Sequence, residues 1–220
     1  MFELCASILA ADFAHLEQDV RAAEAAGVDA FHIDIMDGHF VPAISFGTGM
    51  VRTMRRLTAK PLDVHLMVEN PLAFLPELAE LGAERVSVHY EIPGGPKKPL
   101  QAIRAAGMRA GLVLNPETPP DVVLPCLDRV DQLLLMTVQP GRGGQAYLPV
   151  SNAKLEKARA LLQNAGSRAV IQVDGGITCQ TLPAAYAAGA RSFVAGSAVF
   201  AHVIAPGVAA LRQCCPETIR

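Results

Sequence analysis

The sequence has little charge of either sign to spare: 19 Lys and Arg stand against 21 Asp and Glu, a net charge of −2 over 220 residues. It therefore offers no broad positive field to a nucleic-acid backbone, and any anionic ligand must be gripped locally. Long apolar runs are missing as well. None reaches the roughly 18 residues that a membrane span requires, so no membrane partner is expected. Met1 to Ala10 lacks the basic start and long apolar stretch of a secretory signal, which points to a cytoplasmic setting. Cysteine is sparse and scattered. Cys5, Cys126, Cys179, Cys214 and Cys215 make an odd set, and adjacent Cys214 and Cys215 are poorly placed to pair, so reduced thiols are expected rather than a disulfide frame. No linker, low-complexity tract or charge run divides the chain. With 51% hydrophobic and 18% charged residues it lies far from the disordered regime, and residues 1–220 read as a single domain.

What is present is a rhythm. Short apolar segments rich in β-branched residues recur about every 25 residues, each followed by an Ala/Leu/Glu stretch with helical spacing. Strands are expected at Leu4 to Leu9, Ala30 to Met36, Leu62 to Val68, Arg85 to His89, Ala110 to Asn115, Gln132 to Val138, Val170 to Val173 and Ser192 to Ala195. Helices are expected at Phe13 to Ala26, Leu72 to Leu81 and Ala153 to Asn164, with Gly27, Gly82, Gly107, Gly166 and Gly189 as stops. Eight such units in this length predict an α/β fold, the closed (β/α)8 TIM barrel. The open doubly wound alternative would carry Gly-x-Gly-x-x-Gly after its first strand, and this chain does not.

In a barrel, chemistry gathers at the C-terminal ends of the strands. Strand two reads Phe31-His32-Ile33-Asp34-Ile35-Met36, and a period of two puts His32, Asp34 and Met36 on one face. By the same parity strand three sets Asp63, His65 and Met67 together, and strand seven ends at Asp174. Two imidazoles and two carboxylates converging from three strands suit a divalent metal, because burying so many ionisable groups without a cation is costly. A second feature is glycine: Pro140-Gly141-Arg142-Gly143-Gly144-Gln145 after strand six, Gly175-Gly176 after strand seven and Gly196-Ser197 after strand eight. Backbone amides of such loops can cradle a phosphate without a lysine, which fits the near-neutral charge.

These motifs resemble the D-ribulose-phosphate 3-epimerase family over nearly the whole chain. The likeness lies in Ser7-Ile8-Leu9 with Ala11-Asp12-Phe13, the run His32 to Pro42, Asp63 to Val68, Thr137 to Gln145, Val173 to Ile177 and Val194 to Phe200. It implies that His32, Asp34, His65 and Asp174 bind a divalent ion (zinc, iron(II), manganese or cobalt) and that Asp34 and Asp174 also act as the acid/base pair. It further implies that Ser7, His65, Gly141, Arg142, Gly143, Gly144, Asp174, Gly175, Gly176, Gly196 and Ser197 contact a small phosphorylated ketose, with Met36, Met67 and Met136 as an apolar wall. Epimerisation at C3 requires proton transfer on both faces of one carbon, so two aspartates suffice and no nucleophile is needed. Asp63 or another buried partner is expected to orient a histidine ligand.

Three positions depart from the family pattern. Ala43 replaces an asparagine, Gln139 stands where asparagine is usual, and Arg142 replaces a phenylalanine, setting a planar cation where an apolar ring would cover the substrate. They leave the reaction class intact and put the exact sugar in question, with D-allulose 6-phosphate as the alternative substrate. A Schiff-base aldolase is excluded because Lys60, Lys97, Lys98, Lys154 and Lys157 fall in loops or helices. The orotidine-phosphate decarboxylase barrel is excluded because its Asp-x-Lys-x-x-Asp segment is replaced by Asp63 to Val68. A non-catalytic phosphosugar-binding barrel would not need both acid/base carboxylates. His89 and Glu91 end strand four as weaker candidates, Asp37 and His39 shape the turn after strand two, and His15 and His202 are assigned to exposed helix surface. A homo-oligomer is expected, although no pattern separates core from interface in Val203 to Val208.

Overall fold

The computed structural model describes residues 2–215. Eight strands, β1 (Glu3–Ser7), β2 (Ala30–Met36), β3 (Leu62–Met67), β4 (Arg85–His89), β5 (Arg109–Leu114), β6 (Gln132–Met136), β7 (Val170–Asp174) and β8 (Ser192–Ala195), pair in sequence order, and β8 closes in parallel onto β1. The expected (β/α)8 barrel is what forms. Around it run α1 (Leu16–Ala26), α2 (Thr48–Leu57), α3 (Leu75–Glu80), α4 (Lys97–Ala105), α5 (Ser151–Asn164), α6 (Leu182–Ala188), a short α7 (Ser197–Phe200) and α8 (Ile204–Gln213). Among the described residues no helix is long and apolar enough to cross a membrane. The five cysteines are unpaired.

Strand parity explains the core. Phe31, Ile33 and Ile35 of β2 and Leu62, Val64 and Leu66 of β3 point outward and pack with Val20, Ala23, Val51 and Met54 of the helices. Each fully buried side chain of this kind contributes about 1.5–3 kcal/mol. The opposite parity fills the barrel interior. Near the strand N-termini that interior is polar: Arg85 donates to both carboxylate oxygens of Glu3 at 2.9 and 2.7 Å, and its Nε lies 3.5 Å from Asp63. Gln172 donates to Asp63 at 2.7 Å and to Ser192 at 3.0 Å. A buried guanidinium held by two carboxylates avoids the penalty of an unpaired charge.

Several expected elements end early or change character. The first strand stops at Ser7, and Ile8–Ala10 curls into a 3-10 turn; the sixth stops at Met136. The link from β5 to β6 is a 3-10 segment, Pro120–Arg129, in which Pro125 removes a backbone donor that an α-helix would need. His15 closes the exposed 3-10 turn Phe13–His15, whereas His202, assigned to helix surface, is exposed in the link between α7 and α8. The chain breaks there because Pro206 belongs in a first helical turn and starts α8 afresh. Among the described residues no lysine lies on a strand; Lys97 and Lys98 are in α4 and Lys154 and Lys157 in α5.

Candidate active site

Register brings the site together before any loop is considered. β2 and β3 align His32 with Asp63, Asp34 with His65 and Met36 with Met67, while β6 and β7 align Met136 with Asp174. Since inward residues alternate, these side chains meet inside the barrel near its C-terminal rim. His65 Nδ1 lies 3.1 Å from Asp34 Oδ1 and 3.8 Å from Asp174 Oδ2. His32 Nε2 lies 3.4 Å from Asp34 Oδ1 and 3.8 Å from Asp174 Oδ2.

One donor atom from each of His32, Asp34, His65 and Asp174 lies within 4.8 Å of the other three. Ligand atoms about 2.1 Å from one ion must sit roughly 3 to 4 Å apart, so the cluster has the dimensions of a metal site. The decisive atom is His32 Nε2, which is buried without a hydrogen-bond partner. Its other nitrogen, Nδ1, is engaged by Asp63 at 3.1 Å. An imidazole held from behind by a carboxylate, with its free nitrogen aimed at two more carboxylates, has the chemistry and orientation that a metal ligand needs. The four residues therefore fit a divalent cation.

The charges within the cluster are set unevenly. Burial opposes charging His32, yet the carboxylates of Asp34 and Asp63 overcome it and raise its pKa well above the usual value. Burial also works against an ionised Asp34, but the charges of His32 and His65 and the hydrogen bond from His65 hold its pKa low. Asp174 goes the other way: burial, reinforced by the charge of Asp34, pushes it up to about 7. Burial lowers the pKa of His65 despite its bond to Asp34.

A cavity of about 250 Å³ opens above this cluster. Asp34 and Asp174 line it; His32 and His65, both 0% exposed, lie beneath and do not. Ser7 lines it too and donates to Asp34 Oδ2 at 3.0 Å. Met36, Met67 and Met136 form the apolar wall, and Ala43 packs beside Met36, Val41 and Met67. The wall also includes Gly141, Arg142, Gly143, Gly144, Gly175, Gly176, Gly196 and Ser197. Every substrate-contact candidate except His65 thus borders one cavity.

Glycine is required at the turn after β7. Gly175 has φ +114° and a Cβ there would lie 2.3 Å from Val138; Gly176 has φ +66° and a Cβ there would lie 2.3 Å from the backbone nitrogen of Tyr147. Both conformation and space therefore exclude a side chain. Loop six is held differently, by the Gln145 amide donating to the carbonyls of Gln139 and Arg142 at 2.6 and 2.7 Å. Gln139 reaches across to the Glu117 carboxylate. The Arg142 side chain is exposed and has no hydrogen bond or ion pair with the described residues.

His89, a weaker candidate by sequence, turns out to be central to the setting of the cluster: it is fully buried, and its Nε2 meets His65 Nε2 at 2.8 Å. Parity alone would have put His89 on the inward face with Ser87, but only barrel closure brings it to His65. Ser45 was not singled out at all, yet its hydroxyl donates to the Asp34 carbonyl and accepts the Met36 N–H, fixing the backbone where β2 ends. Asp37 is a turn residue as expected, accepting the N–H groups of His39 and Phe40.

The chain resembles known proteins along most of its length. The model of the ribulose-phosphate 3-epimerase family matches residues 3–200. Ribulose-phosphate 3-epimerase of Bacillus subtilis is 43% identical over 201 residues, covering 91% of this chain and 93% of that one. The Methanocaldococcus jannaschii enzyme of the same name is 43% identical over 200 residues, covering 91% and 85%. Among solved structures, KGPDC from Streptococcus mutans superposes with a TM-score of 0.74 at 16% identity, covering 100% of this chain and 99% of that one. The 3-hexulose-6-phosphate synthase of Salmonella typhimurium does so with a TM-score of 0.73 at 16% identity, covering 98% and 99%. Those two likenesses establish the fold alone. With the family model spanning residues 3–200 and relatives above 40% identity over nine-tenths of its length, the chain belongs to the ribulose-phosphate 3-epimerase family.

Proposed function

We propose that this chain epimerises C3 of a ketose phosphate, interconverting D-ribulose 5-phosphate and D-xylulose 5-phosphate, with a divalent ion held by His32, Asp34, His65 and Asp174. The observation that carries this reading is the division within the cluster: two aspartates open to the cavity, and two histidines sealed behind them. Asp34 and Asp174 can therefore touch a substrate carbon, and the histidines can serve only as ligands.

Inversion needs a base on one side of the carbon and an acid on the other. Asp34 and Asp174 both reach the cavity, from different strands, so one carboxylate can take the proton while the other, protonated, delivers it, and the two exchange roles in the reverse reaction. A bound divalent ion would supply positive charge beside the substrate oxygens on which negative charge develops. Ser7 orients Asp34 through its hydroxyl. The methionine wall shields the reacting carbon, and backbone amides of the glycine loops after β6, β7 and β8 that border the cavity receive the phosphate. Two imidazoles with two carboxylates suit zinc, iron(II), manganese or cobalt.

The test is a panel of pentulose and hexulose phosphates assayed on the metal-loaded enzyme. Interconversion of the two pentulose phosphates is expected to be fastest, and a clear preference for a six-carbon substrate would overturn the choice of sugar. A cytoplasmic homo-oligomer belongs to the same reading; light scattering on a sizing column that returns a monomer at assay concentration would remove the oligomer from it.

A further inference from the structure

His65 and His89 present Nε2 to Nε2 at 2.8 Å. Their ring centres are 5.0 Å apart and their planes 23° apart, so the nitrogens are much closer than the rings and the two imidazoles meet edge to edge. Two N–H groups cannot face one another at that distance, and two bare nitrogens would not attract, so one ring donates and the other accepts. The side of His65 facing the cluster decides which. Its Nδ1 points at Asp34 and Asp174, and a nitrogen that ligates a metal must be unprotonated. The proton of neutral His65 then lies on Nε2 and is donated to His89 Nε2. His89 carries its own proton on Nδ1, which faces Glu91 Oε2 at 3.3 Å. Glu91 is anchored in turn, its Oε1 accepting the Asn115 N–H at 2.9 Å and the Thr118 hydroxyl. Phe40 covers the His89 ring at a centroid distance of 4.6 Å.

We propose that His89 and Glu91 are positioning residues that act through His65: the chain of hydrogen bonds from His65 to His89 to Glu91 sets the tautomer and ring angle that present Nδ1 to the metal. This rests on the metal reading above. The two ligand histidines are thereby backed in different ways, His32 directly by the Asp63 carboxylate and His65 through a second imidazole. Losing such outer partners typically weakens metal binding about 10- to 100-fold.

Nitrogen–proton correlation NMR of the zinc-loaded, histidine-labelled full chain is expected to place the His65 proton on Nε2 and the His89 proton on Nδ1; a His89 proton on Nε2 would overturn the relay. In a cobalt(II) competition against a chelating dye, His89→Phe is expected to bind about 10- to 100-fold more weakly and to shift the visible cobalt spectrum. His89→Gln should recover most of that affinity, since its amide oxygen accepts from His65 and its nitrogen donates to Glu91. Glu91→Gln should fall between them. If His89→Phe does not fold, the wild-type tautomers and Glu91→Gln decide. His65→Ala that binds cobalt like the wild type would sink the metal reading itself. Loss of cobalt in His65→Ala, with wild-type affinity and spectrum in His89→Phe and Glu91→Gln, would sink only the relay.

Discussion

The floor of the active site and its rim are built on opposite principles. The floor is made of side chains on β2, β3 and β7, three of the four held by a second residue: Asp63 holds His32, His89 meets His65, and Ser7 holds Asp34. The rim is made largely of backbone, with glycines at 141, 143, 144, 175, 176 and 196, and between the hydrogen-bonded Gln139 and Gln145 the Arg142 side chain has no partner among the described residues. Proton transfer tolerates little displacement, which the proposed acid/base pair meets by sitting on paired strands, with Asp34 also held by Ser7. Phosphate recognition spreads over several amides and can be built on loops. The difference predicts that change at the floor acts on kcat, and change at the rim acts on KM and on the choice of sugar.

The largest effect should come from the floor. Asp34→Asn and Asp174→Asn are each expected to lower kcat by at least about 10²- to 10⁴-fold while leaving the barrel folded. Turnover retained in either would remove that residue from the acid/base pair. Chelation of the metal should come next: activity is lost and returns on adding back zinc, cobalt, manganese or iron(II), and the apo form melts lower because an ion at 100 times its Kd stabilises the fold by about 2.7 kcal/mol. Full turnover of rigorously metal-free protein would contradict the ligand assignment.

At the rim, Gly176→Ala sets a Cβ against the Tyr147 backbone in a φ that alanine rarely adopts, so a strain of about 1–3 kcal/mol is expected, with KM raised more than kcat is lowered. A kcat loss matching that of the aspartate variants would erase the distinction between floor and rim. Arg142→Ala should have the smallest effect, a few-fold rise in KM at unchanged kcat, because an exposed charge pair contributes about 0.2–1 kcal/mol. If Arg142→Phe instead changes which ketose phosphate is preferred, loop six selects the sugar as well as its phosphate.

Much of this was legible in the chain. Alternation along Phe31 to Met36 and Asp63 to Met67 tells which side chains share a face, and glycine doublets after strands mark where backbone must approach a ligand. The lengths of β1 and β6 were overread because apolar residues continue beyond Ser7 and Met136 into buried turns, where hydrophobicity no longer implies pairing. Pro120–Arg129 has apolar residues enough for a helix, but its prolines favour 3-10 geometry. His89 was undervalued for another reason. A histidine at a strand end looks the same whether it faces solvent or a second imidazole, and its partner is 24 positions away.

The sequence by itself determined the repeating units, the inward parity of His32, Asp34, His65 and Asp174, and the family, because periodicity and motif are properties of neighbours along the chain. The tertiary structure alone decided that Asp34 and Asp174 face the cavity while both histidines lie beneath, that His32 keeps a free buried nitrogen, and that His65 is backed by His89. Those facts depend on barrel closure and strand stagger, which arise only when all eight strands pair at once.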